Sequence, residues 1–214
     1  MKLLTFRHQQ QIQVGALIDN KVFSTQPHRD LPQTMPALLE AGKDSWDRLT
    51  TLANQNPQQG IALGDVELLA PVLRPGKFLG VGLNYADHIA ETGLERPEFP
   101  TIFTKQSTCV IGPEQAIHRP RVSEKLDYEG ELAIVIGSVA KRVKRDDWQS
   151  VVFGYTIAND VSARDVMFAD GQWARAKGYD TFCPLGPFIE TDIDPTNLEI
   201  ETFVDGELRR ILDV

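Results

Sequence analysis

Two glutamates stand two positions apart in the segment LDYEGELAIVIG, which covers residues 126–137. In a β-strand, residues i and i+2 point to the same face, so Glu129 and Glu131 are expected side by side at the start of an apolar run. Burying two adjacent carboxylates costs several kcal/mol unless a cation compensates them. A hard divalent ion would do so. The alternative is an edge strand that carries two solvated glutamates.

A third carboxylate follows the apolar run VVFGYTIAND, which ends at Asp160. Its side chain can project into a cleft at the mouth of the predicted strand, although aspartate at such a position is also common as a turn or cap residue. Together with Glu129 and Glu131 it supplies three oxygen ligands, which suit Mg²⁺ or Mn²⁺. The histidine spacing does not indicate a zinc site.

A histidine and a glutamate lie three residues apart in GLNYADHIAETG. On the short helix that this segment predicts, His88 and Glu91 share one face. A carboxylate beside an imidazole raises its basicity and determines its tautomer, as a general base requires. The alternative is a surface pair without a catalytic role.

A lysine stands among glycines and aromatic residues in GQWARAKGYDTFCPLGP. In this segment, which the pattern predicts to be a loop, Lys177 can hold a substrate carboxylate or stabilise an enolate. An isolated lysine can equally be solvated.

The elements around these residues predict a β-rich α+β protein. LLTF, QVGALI and KVFST are typical of short strands, with a turn at Asp19-Asn20. TMPALLEAG and DSWDRLTTLANQ have helical spacing, with Asp44 as a candidate N-cap. The stretch NPQQGIALGDVELLAPVLRPG is rich in proline and glycine and indicates a boundary near residue 70. We therefore predict a small N-terminal α+β domain over 1–70 and a metal-binding catalytic domain over 71–214.

The second part alternates short apolar runs with turns, and β-branched and aromatic residues predominate. VDGELRR predicts a hairpin with a tight Asp205-Gly206 turn and a second strand that is barely formed. The sequence contains no GxGxxG and no GxxxxGK[ST] motif, so no nucleotide-binding signature supports a dehydrogenase or an ATPase.

Composition excludes two classes of partner. With 30 acidic and 22 basic side chains, the net charge is -8, which argues against nucleic-acid backbones and against anionic membranes. Cys109 and Cys183 form no CxxC pair, and reduced thiols are expected. The N-terminus has too short an apolar run for a signal peptide, so the sequence predicts a cytoplasmic protein.

The motifs, in their order along the chain, resemble the fumarylacetoacetate hydrolase family. They are GLNYADHIAE, PTIFTK, LDYEGELAIVIG, GYTIANDVSARD and AKGYDTFCPLGP, and the similarity runs from about residue 72 to about residue 207. More narrowly, it covers the bacterial branch that includes 2-oxohepta-3-ene-1,7-dioate hydratase/isomerases, acylpyruvate hydrolases, oxaloacetate decarboxylases and ureidoglycolate lyases.

The resemblance implies a mixed β-sandwich roll, a Mg²⁺ or Mn²⁺ cofactor and a homodimer. The family's metal ligands fall on Glu129, Glu131 and Asp160, and its histidine–glutamate dyad falls on His88 and Glu91. Its lysine falls on Lys177, and the substrate-binding positions fall on Tyr85, Lys105 and Thr108.

The implied substrate is a small 2-oxo acid, and the implied reaction is cleavage of a C–C bond in an acylpyruvate or β-diketo acid through an enolate. Oxaloacetate decarboxylation and isomerisation or hydration of unsaturated 2-oxo dioates are alternatives. The chain departs from the family in two places: Met167 stands where a glutamine is common, and the C-terminus is expected to be short. A truncated, non-catalytic protein that binds metal is therefore a further alternative.

Overall fold

The computed structural model describes residues 1–86, 89, 93 and 95–214. The strands are β1 (Lys2–His8), β2 (Gln11–Ile18), β3 (Lys21–Ser24), β4 (Ile61–Ala62), β5 (Glu67–Leu69), β6 (Leu79–Gly82), β7 (Thr101–Thr104), β8 (Val110–Ile111), β9 (Leu126–Asp127), β10 (Gly130–Ile136), β11 (Val152–Asn159), β12 (Ser162–Ala163), β13 (Cys183–Glu190), β14 (Glu199–Val204) and β15 (Glu207–Asp213). The helices are α1 (Met35–Ala41), α2 (Lys43–Gln55), α3 (Arg164–Asp170) and α4 (Trp173–Ala176). Strands predominate, and the predicted α+β class is confirmed.

A nine-stranded sheet organises the molecule. Its strand order is β10-β11-β13-β1-β2-β3-β4, with β5 also paired to β1 and β8 to β13. The pairs are antiparallel apart from β8–β13, which is parallel. Two-stranded ladders join β6 to β7, β9 to β12 and β14 to β15. Among the described residues, no helix is both long and apolar enough to cross a membrane.

The first three strands form the meander that the sequence predicts. Asp19 and Asn20 adopt left-handed backbone angles, with φ of 47° and 60°, and Ile18 pairs with Lys21 across them. Two consecutive left-handed residues give the turn whose twist matches that of the strands. The expected hairpin is therefore confirmed.

Helices α1 and α2 cover the sheet, and only α1 has a side chain as its N-cap. The Thr34 hydroxyl accepts a hydrogen bond from the Ala37 amide at the start of α1. Asp44 was predicted as the cap of α2, but the helix starts at Lys43 and Gly42 is its cap. Gly42 has a φ of 72°, which lets a single residue end α1 and begin α2. Asp44 instead lies in the first turn, where its carboxylate still stabilises the helix by interacting with the positive end of the helix dipole.

The sheet continues across the predicted domain boundary. Strand β1 pairs with β2 on one side, and its first residues pair with the last residues of β13, Lys2 opposite Glu190 and Leu3 opposite Ile189. Leu3 and Ile189 are fully buried and belong to one core cluster with the residues of α1 and α2. Nothing in these contacts tests the division at residue 70, which stays a prediction.

The last two strands form the predicted hairpin around Asp205 and Gly206, which have φ of 52° and 79°. The expectation of a barely formed second strand is wrong. Strand β15 has seven residues and pairs with β14 as far as Glu199 opposite Asp213. The buried faces of this hairpin, Ile200 and Leu212, pack against Tyr85.

Candidate active site

The candidate site lies where β10 begins and β11 ends. Gly130 is paired with Asn159 and Glu131 with Ala158. The pairing continues one residue beyond the strands, because the Asp160 amide donates to the Glu129 carbonyl at 2.8 Å. The Asn159 side chain accepts a hydrogen bond from the Glu129 amide at 3.0 Å. Asp160 therefore follows directly after the end of a strand, as predicted, whereas Glu129, which was predicted inside a strand, comes directly before β10.

Asp160 lies between two buried lysines. Lys105 Nζ is 2.5 Å from Asp160 Oδ1, and Lys177 Nζ is 2.6 Å from Asp160 Oδ2. The side chains of Lys105 and Lys177 are only 1% and 3% exposed. Charges that are so far removed from water are costly unless they are paired and hydrogen-bonded. The Asp160 carboxylate provides the pairing for both.

Glu129 is oriented through one of its two oxygens. Its Oε1 accepts from Ser162 Oγ at 2.7 Å and from Lys177 Nζ at 2.9 Å, and it lies 2.9 Å from Arg164 Nη2. Arg164 Nε also donates to Asp127 at 2.7 Å. Charge-assisted bonds of this kind are the strong ones in proteins. They hold the Glu129 carboxylate in one orientation.

Glu131 has a carboxyl group of a different character. Its pKa is raised to about 7, mainly by burial and to a smaller extent by the Glu129 and Asp160 charges, against hydrogen bonds from Tyr85 and Asn84 that lower it. The Asn84 amide nitrogen lies 3.5 Å from Glu131 Oε2. A raised pKa from burial beside like charges marks a carboxylate that lacks sufficient positive charge around it. A cation bound here would reverse that shift.

The three predicted substrate-binding residues lie in different surroundings. Lys105 is in the site, as described above. Tyr85 is buried, and its hydroxyl accepts a hydrogen bond from the Leu132 amide at 3.1 Å. Thr108 is exposed in a short 3-10 turn, and its carbonyl accepts from the Thr181 amide at 3.3 Å. Their part in binding a substrate stays a prediction.

His88 and Glu91 lie outside the described residues, so the predicted dyad stays a prediction. The segment that was predicted to be a loop contains the short helix α4, and Lys177 lies in the turn that follows it, where its amide donates to the Trp173 carbonyl at 2.9 Å. The four-residue helix is too short to show in the periodicity of the sequence.

The carboxylate donors are the type that a hard divalent ion prefers. In the part of the chain that the structure describes, however, no three acidic, histidine or cysteine side chains stand close enough together to hold a metal ion as they are. The Lys177 ammonium contacts Glu129 and Asp160 at once. Glu129, Glu131 and Asp160 therefore fit a divalent ion by donor chemistry, on the condition that Lys177 moves away from two of them.

Three residues that contact the predicted carboxylates were not predicted from the sequence: Asn84, Ser162 and Arg164. Asp160, Ser162 and Arg164 follow one another at intervals of two in NDVSARD. In an extended chain such residues share a face. The spacing that identified Glu129 and Glu131 was therefore present here as well.

The two cysteines lie in the core behind the site and are free thiols. Burial raises the pKa of both, that of Cys183 to about 12. The thiolate is the reactive form of cysteine, so neither thiol is a candidate nucleophile.

Replacing Ser162 with alanine is expected to destabilise the protein by about 1–3 kcal/mol, because buried partners lose a hydrogen bond. The hydroxyl donates to Glu129 and accepts from Lys177 at 2.8 Å. Urea unfolding would measure the change, with the exposed Ser138→Ala as the matched control. Equal stability of the two variants would contradict this role of Ser162.

The strand-rich α+β fold brings carboxylates and buried lysines together where two strands meet. Such a polar site is typical of an enzyme. The chain belongs to the fumarylacetoacetate hydrolase family. Residues 77–211 match the model of the fumarylacetoacetate (FAA) hydrolase C-terminal domain. This confirms the resemblance found in the sequence.

Three similar proteins illustrate the range of the family. Mitochondrial oxaloacetate tautomerase Fahd2a of Rattus norvegicus is 42% identical over 199 residues, which are 91% of this chain and 62% of the relative. The structure of fumarylacetoacetate hydrolase from Exiguobacterium antarcticum is 34% identical, with a TM-score of 0.84, and the match covers 99% of this chain and 74% of that one. The structure of maleylpyruvate hydrolase from Sphingobium sp. SYK-6, with manganese(II) and pyruvate, is 27% identical, with a TM-score of 0.79, over 100% and 76% of the two chains.

The chain spans less than three fifths of the length of other curated relatives, with 57% to 59% covered in three archaeal and mycobacterial proteins that are 47% to 53% identical.

Proposed function

We propose that the protein is a divalent-metal-dependent enzyme that cleaves a C–C bond of an acylpyruvate or β-diketo acid through an enolate. The observation that carries this proposal is the cluster of Glu129, Glu131 and Asp160 with two buried lysines at the mouth of β10 and β11. A carboxyl group with a pKa raised by burial, as that of Glu131 is, is typical of functional sites when it lies in such a position.

The charges of the site indicate an anionic substrate. Lys105, Lys177 and Arg164 face the carboxylates of Glu129, Asp160 and Asp127, and Glu131 adds a fourth. With Glu131 ionised, the site carries one negative charge more than positive charges, and a divalent ion would change this to an excess of one positive charge. A 2-oxo acid brings a carboxylate and develops further negative charge as an enolate, so its charge complements that of the loaded site.

The residues divide the work as follows. Glu129, Glu131 and Asp160 would hold the ion, which when bound supplies a Lewis acid for the 2-oxo and carboxylate oxygens. Ser162 and Arg164 keep Glu129 in its orientation. Lys177, next to the same carboxylates, can stabilise negative charge on the enolate or hold the substrate carboxylate. Lys105 adds a second positive charge on the other side of Asp160.

The hydrolytic reaction needs one more function, which is activation of water. We assign it to His88, oriented by Glu91, as a general base that takes a proton from the water attacking the distal carbonyl. This assignment rests on the helical spacing of the two residues and on the family.

Keto–enol tautomerisation of oxaloacetate is the second candidate. The similarity to the Rattus norvegicus oxaloacetate tautomerase, which extends over 91% of this chain, favours it. It needs an enolate and one group that moves a proton, and no attacking water. Decarboxylation of oxaloacetate and isomerisation of an unsaturated 2-oxo dioate also need an enolate, and product analysis separates them because only decarboxylation releases CO₂.

The test is a turnover assay of acylpyruvates and oxaloacetate with Mg²⁺ or Mn²⁺. Replacing Glu131 with glutamine is expected to abolish metal-dependent turnover, because one charged ligand is lost without a change of volume. The exposed Glu201→Gln is the matched control. Unchanged activity of wild type in excess chelator would refute the metal-dependent mechanism.

Replacing His88 with alanine separates the two chemistries. Hydrolysis of acylpyruvates is expected to collapse by about 10²–10⁴-fold, the usual contribution of a general base, whereas decarboxylation of oxaloacetate, which needs no attacking water, is expected to persist. Mn²⁺ binding without turnover of any 2-oxo acid would instead favour a non-catalytic metal-binding protein. We also infer a homodimer from the family, and sedimentation equilibrium tests it.

A further inference from the structure

Two glycines in β6 leave room for two aromatic rings. A methyl group at Gly80 would lie 2.1 Å from Cζ of Phe103, and one at Gly82 would lie 2.2 Å from Cζ3 of Trp173. Gly80 is directly paired with Phe103 across the β6–β7 ladder. Any larger residue at either position would have to displace a ring. Both rings therefore lie directly against the backbone of β6.

The two rings support each other. Phe103 and Trp173 meet edge to face, with centroids 5.6 Å apart and an interplanar angle of 70°. This is a preferred geometry for an aromatic pair. With the backbone on one side and Trp173 at its edge, the Phe103 ring has little freedom to turn.

The ammonium group of Lys177 lies over the Phe103 ring. Lys177 Nζ lies 4.9 Å from the ring centroid, within the distance at which the negative face of an aromatic ring attracts a cation. The same ammonium donates to Glu129, Asp160 and Ser162. Its three protons are thus directed to oxygens, and the ring lies close to the same charge.

We propose that Phe103 is a positioning residue, which holds the Lys177 ammonium at the candidate site by a cation–π contact and is itself held by Gly80 and Trp173. Its effect on catalysis rests on the proposed function of Lys177, whereas the contact itself does not. If the oxygens release Lys177 when a divalent ion binds, the ring remains as the group that keeps the ammonium near the substrate.

The first experiment measures the contact without any assay of activity. Phe103 is replaced by mono-, di- and trifluorophenylalanine, which keep the shape of the ring but withdraw negative charge from its face. Because the weaker contact destabilises the folded state, the unfolding equilibrium constant is expected to rise stepwise. The total rise should be about twofold to thirtyfold over the series, which corresponds to the range of cation–π energies. The same series is made with Lys177→Met, and with Lys177→Gln as a second neutral background, where the trend should vanish. A trend that is equal in the neutral backgrounds, or no trend at all, overturns the proposal.

The second experiment displaces the Phe103 ring by a substitution at Gly80, against which the ring packs. Gly80→Ala forces Phe103 to shift, while Gly76→Ala is a matched control because a methyl group there meets nothing within 4 Å. Gly80→Ala is expected to lower kcat as Phe103→Leu does, with Phe103→Tyr retaining activity. Full activity of Gly80→Ala and Phe103→Leu would overturn the positioning role.

The kinetic readout separates positioning from loss of structure. Across the fluorinated series with Mn²⁺ and acylpyruvate, kcat is expected to fall stepwise while KM changes by less than about twofold, as for an interaction used mainly in the transition state. A flat kcat series in an active enzyme overturns the proposal. If wild type turns over no 2-oxo acid but the unfolding series shows the coupling, the proposed function fails and the Phe103–Lys177 contact stands.

Discussion

Replacing Asp160 with asparagine is expected to destabilise the protein by about 3–5 kcal/mol, the usual cost of removing one partner from a buried ion pair. Both carboxylate oxygens are engaged, Oδ1 by Lys105 and Oδ2 by Lys177. The two ammonium groups are almost completely buried and would be left without this counter-charge. Urea unfolding of the metal-free protein measures the loss, and the exposed Asp146→Asn is the matched control.

The same substitution is expected to lower metal-dependent turnover by about 10²–10³-fold, as the loss of a strong electrostatic contact in an active site does. It should also weaken Mn²⁺ binding in calorimetry, because one of three charged donors becomes a neutral amide. Unaltered Mn²⁺ affinity in a folded Asp160→Asn protein would remove Asp160 from the metal site. The stability effect would then be its only role.

Replacing Lys177 with methionine is expected to affect metal binding and catalysis in opposite directions. Lys177 contacts Glu129 and Asp160, two of the three candidate ligands. Its removal frees their oxygens and takes away a positive charge that would repel the ion. Since a unit charge a few ångströms away contributes about 1–4 kcal/mol at effective dielectric constants between those of water and a protein surface, Mn²⁺ should bind at least about fivefold more tightly.

Turnover by the same variant should fall by about 10²–10³-fold, because the positive charge that stabilises the enolate is gone. Calorimetry with Mn²⁺ and a turnover assay on the same preparation test both statements, and the exposed Lys141→Met is the control. Weaker binding of Mn²⁺ to Lys177→Met would mean that the lysine supports the metal site rather than competing with the ion. Tighter binding with full activity would mean that another group stabilises the enolate.

The elements with local signals were predicted well. The Asp19-Asn20 and Asp205-Gly206 turns, and the strands on both sides of the first of them, follow from left-handed turn residues between alternating apolar positions. Two errors concern the bounds of elements. Gly42, not Asp44, caps α2. Strand β15 continues to Asp213 through residues that show little alternation.

In the site, the sequence predicted the kinds of side chain but not their partners. The i, i+2 spacing of Glu129 and Glu131 and the position of Asp160 at the end of a strand are local features. The contact of Lys105 with Asp160 joins residues 55 positions apart, and that of Lys177 with Glu129 joins residues 48 apart. A periodicity of two or of 3.6 residues contains no information about such distances.

By itself, therefore, the amino-acid sequence determined the β-rich class, the two turns and three carboxylates of the type that binds a hard divalent ion, because each depends on neighbours in the chain. Only the tertiary structure decided that two lysines are buried against Asp160, that Ser162 and Arg164 orient Glu129, and that Phe103 lies beneath the Lys177 ammonium. These contacts arise where separate strands and a four-residue helix come together. The physical reason is that the cost of burying a charge can be met only by groups that folding brings within hydrogen-bonding distance.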